Sequence, residues 1–473
     1  MEKTFFFYDL ETSGIKPNSA RIMQFAGRRT DMDLRPIGEP YNLLVRLDDD
    51  TIPSPEALLV TGITPQQAIA DGLSEVEFAR VLSDDVFTED TIAVGFNNVR
   101  FDDEFVRHLF WRNFFDPYEW SWRDGRSRWD MLDVVRMTRA LRPDGINWPV
   151  SEDGVPTNRL ELLTKENGIE HLNAHDALSD VDALISIAGL IRSKQPQLFD
   201  YLLKMRDKKE VQRLVNLDDK QAFVYSSGRY ENDFHKTTIA FPLTSGRNSN
   251  VVVYDLRYDP TPFLDMTPAQ LEAILYAPRE QRQQEDFRHL PVKELQYNRC
   301  PAVAPLGVLE QAGGWDRLKL TTDDIKRHRD ILLAAPHFAE NIRSVFQRER
   351  TFEKSANPES QLYDGFVNDK DKIRVEAVRN AEPRQLVDLQ PAFDDERLSE
   401  LLLHYKARNF ASSLSEDEAA KWEAWRAEYI RQQLPGFVAS LQKMASERTD
   451  EHSQFILSEL QLWAESIVPV EDS

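Results

Sequence analysis

The sequence predicts an α/β domain over residues 1–195, a β-rich domain over 196–350 and an all-helical domain over 351–473. Three observations carry this reading. Short apolar runs alternate with helical periodicity in the first part, which is an α/β signature. Apolar runs spaced by glycine, asparagine and proline fill the middle, and amphipathic helical patterns fill the end. At 473 residues the chain also exceeds the size at which one hydrophobic core stops growing.

In chain order, residues 4–8, 41–45 and 91–96 read as strands, and 74–82, 102–114 and 174–191 as helices. Phe101, Phe105 and Leu109 recur on one helical face, with Asn98 placed to cap that helix. Ala177, Val181, Leu184, Ala188 and Ile191 form a second stripe at helical spacing. The segments "AFVYSSG", "TTIAFPL" and "NVVVYDL" read as strands of a small barrel or sandwich. After the polar connector "ERTFEKSANPESQLYDG" come four helical patterns: "ERLSELLLHYKARNF", "EDEAAKWEAWRAEYIRQQL", "PGFVASLQKMASE" and "HSQFILSELQLWAESIV". No internal repeat interrupts this order.

Composition narrows the class. The single cysteine, Cys300, excludes an intrachain disulfide and any cysteine-built metal site, which fits a reducing cytoplasm. No signal-peptide pattern opens the chain, and no apolar stretch approaches the roughly 18 residues of a membrane helix. The formal charge of −22, from 58 basic and 80 acidic residues, argues against a polyanionic partner on net charge alone. Local fields matter more, and basic residues cluster in "NNVRFDDEFVRHLFWRNFF", "WRDGRSRWDMLDVVRMTRALR" and "KMRDKKEVQR".

The stretch "FFFYDLETSG" runs an apolar strand into two acids. In a strand, residues i and i+2 share a face, so Asp9 and Glu11 stand side by side at the strand end. Two half-buried carboxylates repel unless a cation neutralises them or one keeps its proton. Downstream, Asp102 opens the helix that begins in "NNVRFDDE", and Asp180 flanks the core-facing stripe of the late helix, with His175 at its entry. Taken singly, His175 reads as a structural histidine and Asp180 as a solvated edge acid. As a set, D-x-E on a strand, N-x-x-F-D at a helix start and H-x(4)-D on a late helix form a pattern.

With that pattern the sequence resembles the DEDDh exonucleases of the ribonuclease-H-like fold. Local wording narrows the resemblance to the bacterial exodeoxyribonuclease I family: "YDLETSG", "LVTGITPQQA", "GFNNVRFDDE", "NFFDPYEWSW", "RWDMLDVVR", "LRPDGINWP", "LTKENGIEHLNAHDALSDV" and "LYDGF" run nearly end to end. The resemblance implies a ribonuclease-H-like first domain, an SH3-like second and a helical third, arranged as a C-shaped clamp. It implies processive 3′-to-5′ hydrolysis of single-stranded DNA to 5′-mononucleotides, in DNA repair and recombination. Two Mg²⁺ ions, replaceable by Mn²⁺, would be held by Asp9, Glu11, Asp102 and Asp180, with Glu11 also at the substrate and His175 as general base. His171, Asp103, Asp176 and Asp182 read as supporting residues around that set.

Single-stranded DNA is held by cations along the backbone and aromatic rings under the bases. The resemblance carries DNA contact onto Arg107, Tyr118, Trp122, Arg136, Lys208, Asn250, Lys293, Tyr297 and Tyr363, and contact with the terminal nucleotide onto Arg159. Phe114, Phe115, Trp120 and Trp129 read instead as core. The family has bulkier aromatic residues after the two acids, so Leu10 and Ser13 are expected to alter the wedge against the last base.

The resemblance also implies a partner: the acidic, phenylalanine-ended tail of the single-stranded-DNA-binding protein. Arg142 and Tyr201 match its pocket, whereas Glu310 and Leu333 stand where two arginines are expected. That predicts weak or relocated binding, using Arg317, Lys326, Arg327 or Arg329. A cytoplasmic monomer completes the expectation. Two alternatives stay open: another DEDDh activity, in RNA trimming or proofreading, and a non-catalytic single-stranded DNA clamp. The length beyond one domain argues against the first, and the filled catalytic set against the second.

Overall fold

The computed structural model describes residues 2–171, 176–311, 313–348 and 354–469, and the chain divides into two compact units. Unit 1 takes residues 1–128, 171–184 and 353–473; unit 2 takes 129–170 and 185–352.

Unit 1 is built on β1 (Thr4–Thr12), β2 (Ile22–Thr30), β3 (Pro36–Leu44) and β4 (Thr91–Gly95). With β5 (Ser127–Asp130), which carries the chain out of the unit, they form a sheet of order β3-β2-β1-β4-β5. β1 is antiparallel to β2 and parallel to β4. Its side chains alternate as the pleat requires: Phe6, Tyr8 and Leu10 enter one core cluster with Phe105 and Leu109, while Phe5, Phe7, Asp9 and Glu11 share the opposite face. β1 does not end at the acids, as the sequence suggested, but continues through them to Thr12 with an irregularity between Glu11 and Thr12. Pairing with β4 stops at Phe7, so the acids extend past the end of the parallel pair, where open α/β sheets place their ligands.

β2 was not expected, and it is the partner that fixes the register of β1, with Asp9 opposite Ala26 and Glu11 opposite Gln24. Gly27 is required there because a Cβ would lie 2.3 Å from the Phe6 ring. The helices that carry the other acids are α1 (Asp102–Arg112) and α2 (Ala177–Lys194). Asn98 does not cap α1; it sits in a 3₁₀ turn and donates from Nδ2 to Asp103 Oδ1 at 3.1 Å. Asp103 is buried and needs hydrogen-bond donors, and the Asn98 side-chain amide is one of them.

The carboxy-terminal part contributes α3 (Glu396–Asn409), α4 (Glu416–Glu447) and α5 (Glu451–Ile467). The second and third expected helices are one, because Pro435 is accommodated inside the 32-residue α4. The connector is not simply polar. Glu359 is fully buried, accepting from Arg21 Nη2 at 2.8 Å and His404 Nδ1 at 2.8 Å and pairing with Arg408, which also meets Asp50. Arg112 and Glu75 continue this buried ionic cluster at 2.7 Å. Such a network holds its members in one arrangement, since removing one partner would leave a buried charge unpaired.

Unit 2 contains a five-stranded antiparallel sheet of order β10-β6-β7-β8-β9: β6 (Phe223–Ser226), β7 (Thr237–Ser245), β8 (Val251–Asp255), β9 (Val292–Leu295) and β10 (Ala302–Pro305). Val211, Phe223, Tyr225, Val251, Leu295 and Val303 fill its core. Among the described residues no helix is long and apolar enough to cross a membrane.

Candidate active site

Three elements of unit 1 converge past the carboxyl end of β1. The pleat turns Asp9 and Glu11 to one face, the turn after β4 delivers Asp102 as the first residue of α1, and the first turn of α2 presents Asp180. Asp176 caps α2 by accepting from Ser179 N at 3.2 Å. The oxygens of Asp9, Glu11 and Asp180 lie within 4.8 Å of one another. Asp102, 4% exposed, lies outside that trio but close enough to act on Asp9 electrostatically. His175 lies outside the described residues.

Without a cation, Asp9 and Glu11 are shifted toward their protonated forms. Burial pushes the Asp9 carboxyl well above its ordinary range, with the charges of Asp102 and Asp180 adding to the shift. Burial likewise pushes Glu11 up to about 9, with Asp9, Asp180 and Asp176 contributing. A divalent ion relieves such mutual repulsion, and carboxylate oxygens are the ligands hard cations prefer. The donor set therefore fits a metal.

Around the acids runs a supporting shell that the sequence only partly disclosed. His171 Nε2 bonds Asp180 Oδ1 at 2.6 Å. Asp103 accepts from Tyr8 Oη at 2.5 Å and Arg128 Nη1 at 2.5 Å, tying β1 to α1 beside the acids that each carries. Arg128 and Tyr8 carried no one-dimensional signal for this; Tyr8 reads as part of an aromatic run.

The chain's similarities agree with this geometry. Residues 6–188 match the profile described as Exonuclease, 206–348 that of the Exonuclease I SH3-like domain and 356–467 that of the Exonuclease I C-terminal domain. Over 460 residues the chain is 40% identical to Exodeoxyribonuclease I of Haemophilus influenzae, covering 96% of each. The chain belongs to the exodeoxyribonuclease I family. It resembles the crystal structure of E. coli Exonuclease I in complex with a dA16 oligonucleotide, with a TM-score of 0.95, 39% identity and coverage of 99% of this chain and 100% of that one. A structure of SSB/Exonuclease I in complex with the inhibitor CFAM matches with a TM-score of 0.91 and 38% identity, over 99% of this chain and 100% of that one. The chain is accordingly a 3′-to-5′ exonuclease of single-stranded DNA from a metal-dependent family, with the three-part fold the sequence predicted.

The remaining residues carried over from the exodeoxyribonuclease I family divide between the units. In unit 1, Arg107 lies 5.6 Å from the Tyr118 ring centroid and donates to Tyr363 Oη at 3.4 Å, and Trp122 is 63% exposed. In unit 2, Arg136 pairs with Asp133 at 2.6 Å, Arg159 with Glu161, and Lys293 donates to Tyr225 Oη at 2.8 Å. Lys208 is exposed and Asn250 half-buried, while Tyr297 is buried with its hydroxyl donating to Val215 O at 2.9 Å. Phe114, Phe115, Trp120 and Trp129 are buried, as expected of core aromatics. Leu10 packs in the core, and buried Ser13 accepts from Arg21 N at 2.8 Å. The alternation that turns Asp9 outward turns Leu10 inward.

Proposed function

We propose that Asp9, Glu11, Asp102 and Asp180 hold two Mg²⁺ ions, with Mn²⁺ able to substitute, and that His175 is the general base for hydrolysis of the 3′-terminal phosphodiester. The observation that carries this reading is the half-buried trio of Asp9, Glu11 and Asp180 within 4.8 Å. Divalent ions there supply charge neutralisation at the phosphate and a nucleophile at neutral pH. The chain's own residues do the rest. The strand-borne pair Asp9 and Glu11 fixes one wall of the cradle, Asp102 and Asp180 close it from two helices, and the His171 bond to Asp180 orients that carboxylate. His175 removes a proton from the attacking water, and Glu11 and Arg159 meet the terminal nucleotide.

The strand is held by Arg107, Tyr118, Trp122, Arg136, Lys208, Asn250, Lys293, Tyr297 and Tyr363, with segments 1–195, 196–350 and 351–473 as functional domains. Contacts spread along the chain support processive release of 5′-mononucleotides in DNA repair and recombination by a cytoplasmic monomer. The acidic tail of the single-stranded-DNA-binding protein meets Arg142 and Tyr201 only weakly. Arg142 donates to Val308 O and Gln311 Oε1, both at 3.1 Å, Glu310 accepts from Trp315, and Leu333 replaces a cation. Of the substitutes, Arg327 and Arg329 pair with Asp324 at 2.8 Å and Asp330 at 2.9 Å, and Arg317 donates to Ala140 O at 3.1 Å.

Calorimetric titration of Mn²⁺ into the chain bound to a non-hydrolysable oligonucleotide tests the central assignment. Two sites per chain are expected, weakened in Asp9→Asn and Asp102→Asn; unchanged affinity in both variants would overturn it.

A further inference from the structure

We propose that Glu104 competes with DNA phosphate for Arg107, so that the enzyme's grip on each phosphate at this position is deliberately incomplete. The inference rests on the reading of Arg107 and Tyr363 as strand contacts. Glu104 lies on α1 one turn from Arg107, and its Oε1 accepts from Arg107 Nη1 at 2.8 Å. Its other carboxylate oxygen takes the hydroxyl of Tyr363, which arrives from the connector. Tyr118 lies 6.5 Å from Tyr363 between ring centroids and carries the Arg107 guanidinium over its own ring.

An i,i+3 ion pair on a helix surface is ordinarily solvated and worth little. This one differs. The Arg107 and Glu104 side chains are only 11% and 12% exposed, and Arg107 Nε is buried with no hydrogen-bond partner. The guanidinium is thus closed by a carboxylate on one side and two tyrosines around it, with a donor left over. A carboxylate offers a guanidinium the same pair of acceptor oxygens as the non-bridging oxygens of a phosphodiester. A phosphate reaching Arg107 must therefore displace Glu104 or bind beside its negative charge, and either route discounts the contact. In a processive exonuclease every backbone contact is broken at each one-nucleotide advance. A carboxylate waiting to retake the arginine lowers the cost of that step, at the expense of static affinity.

The test is Glu104→Gln, which keeps the shape and removes the charge. On a 20-residue oligothymidylate in chelator, Kd is expected to fall on the order of tenfold, the worth of one charge-assisted hydrogen bond. The log-log salt slope should steepen by about 0.7, one further phosphate contact. With Mg²⁺, kcat on long single strands should fall as release slows. In an Arg107→Ala background the same substitution should change neither Kd nor slope, a coupling that a merely structural role would not produce. Weaker or unchanged binding by Glu104→Gln, with Arg107→Ala weakening it, overturns the competitor role while leaving Arg107 as a contact. If Arg107→Ala itself alters neither Kd nor slope, the contact reading fails first and the inference falls with it.

Discussion

Replacing Asp180 by Asn should stabilise the metal-free protein and at the same time abolish its response to metal. Asp9, Glu11 and Asp180 place their oxygens within 4.8 Å, so each fully ionised pair costs about 3.5 kcal/mol at an effective dielectric constant of roughly 20. Two of the three pairs involve Asp180. Much of that repulsion is already relieved by proton retention, since burial and its neighbours push Glu11 up to about 9 and Asp9 well upward. Each pKa unit regained when Asp180 loses its charge is worth about 1.4 kcal/mol, so a gain of roughly 1–3 kcal/mol is expected in chelator near pH 8. Asparagine keeps an oxygen to accept from His171, so the fold contact survives. Denaturant unfolding in chelator and in Mg²⁺ reads the sign: wild type gains stability with metal, Asp180→Asn starts higher and does not. Cleavage should disappear, with single-stranded DNA affinity little changed. A variant that is less stable in chelator yet still responds to metal would make Asp180 a structural acid tethered by His171, and the cradle argument would be refuted.

Four further outcomes are expected. His175→Ala should slow turnover by roughly 10²–10⁴, with partial recovery at higher pH, and a pH-independent defect in the rate profile would instead indicate positioning. Binding to single-stranded DNA should weaken steeply between 50 and 300 mM salt despite the −22 charge, at about −0.7 per phosphate contact on a log-log plot, and a flat line would mean that stacking alone holds the strand. A fluorescent acidic tail peptide should bind weakly, and tight binding lost in Arg142→Ala would show that Glu310 and Leu333 matter little. Burial pushes Asp255 up to about 6, above its unfolded value, so its contribution is complete below about pH 4 and is lost as pH rises through 6. Asp255→Asn, which cannot ionise, should therefore gain on wild type by on the order of 2–3 kcal/mol at pH 8 and not at pH 4, as measured by unfolding at both values.

The parts of the fold legible in the sequence are those set by local periodicity. The alternation of β1 placed Asp9 and Glu11 together, and the apolar stripe of α2 placed Asp180 at its edge. What escaped was decided by distant partners. β2 contains Gly27 and two arginines in "IMQFAGRRT" and shows little apolar alternation; its glycine makes sense only once Phe6 packs over it from the neighbouring strand. Pro435 reads as a helix break, yet α4 runs through it. Glu359 reads as a solvated linker acid because nothing nearby in sequence announces Arg21, His404 and Arg408 as its partners. In the site, the four acids follow from spacing and family resemblance, whereas the Tyr8–Asp103–Arg128 strut joins residues 95 and 25 positions apart.

The most direct test of the whole account is the product pattern from single-stranded DNA labelled at its 5′ end, compared with 3′-labelled DNA, duplex DNA and RNA, each with Mg²⁺ and with chelator. The account predicts immediate release of labelled mononucleotide from the 3′-labelled strand, late release from the 5′-labelled strand without accumulated intermediates, little action on duplex or RNA, and none in chelator. Early loss of the 5′ label, internal cleavage, or undiminished activity in chelator would contradict it.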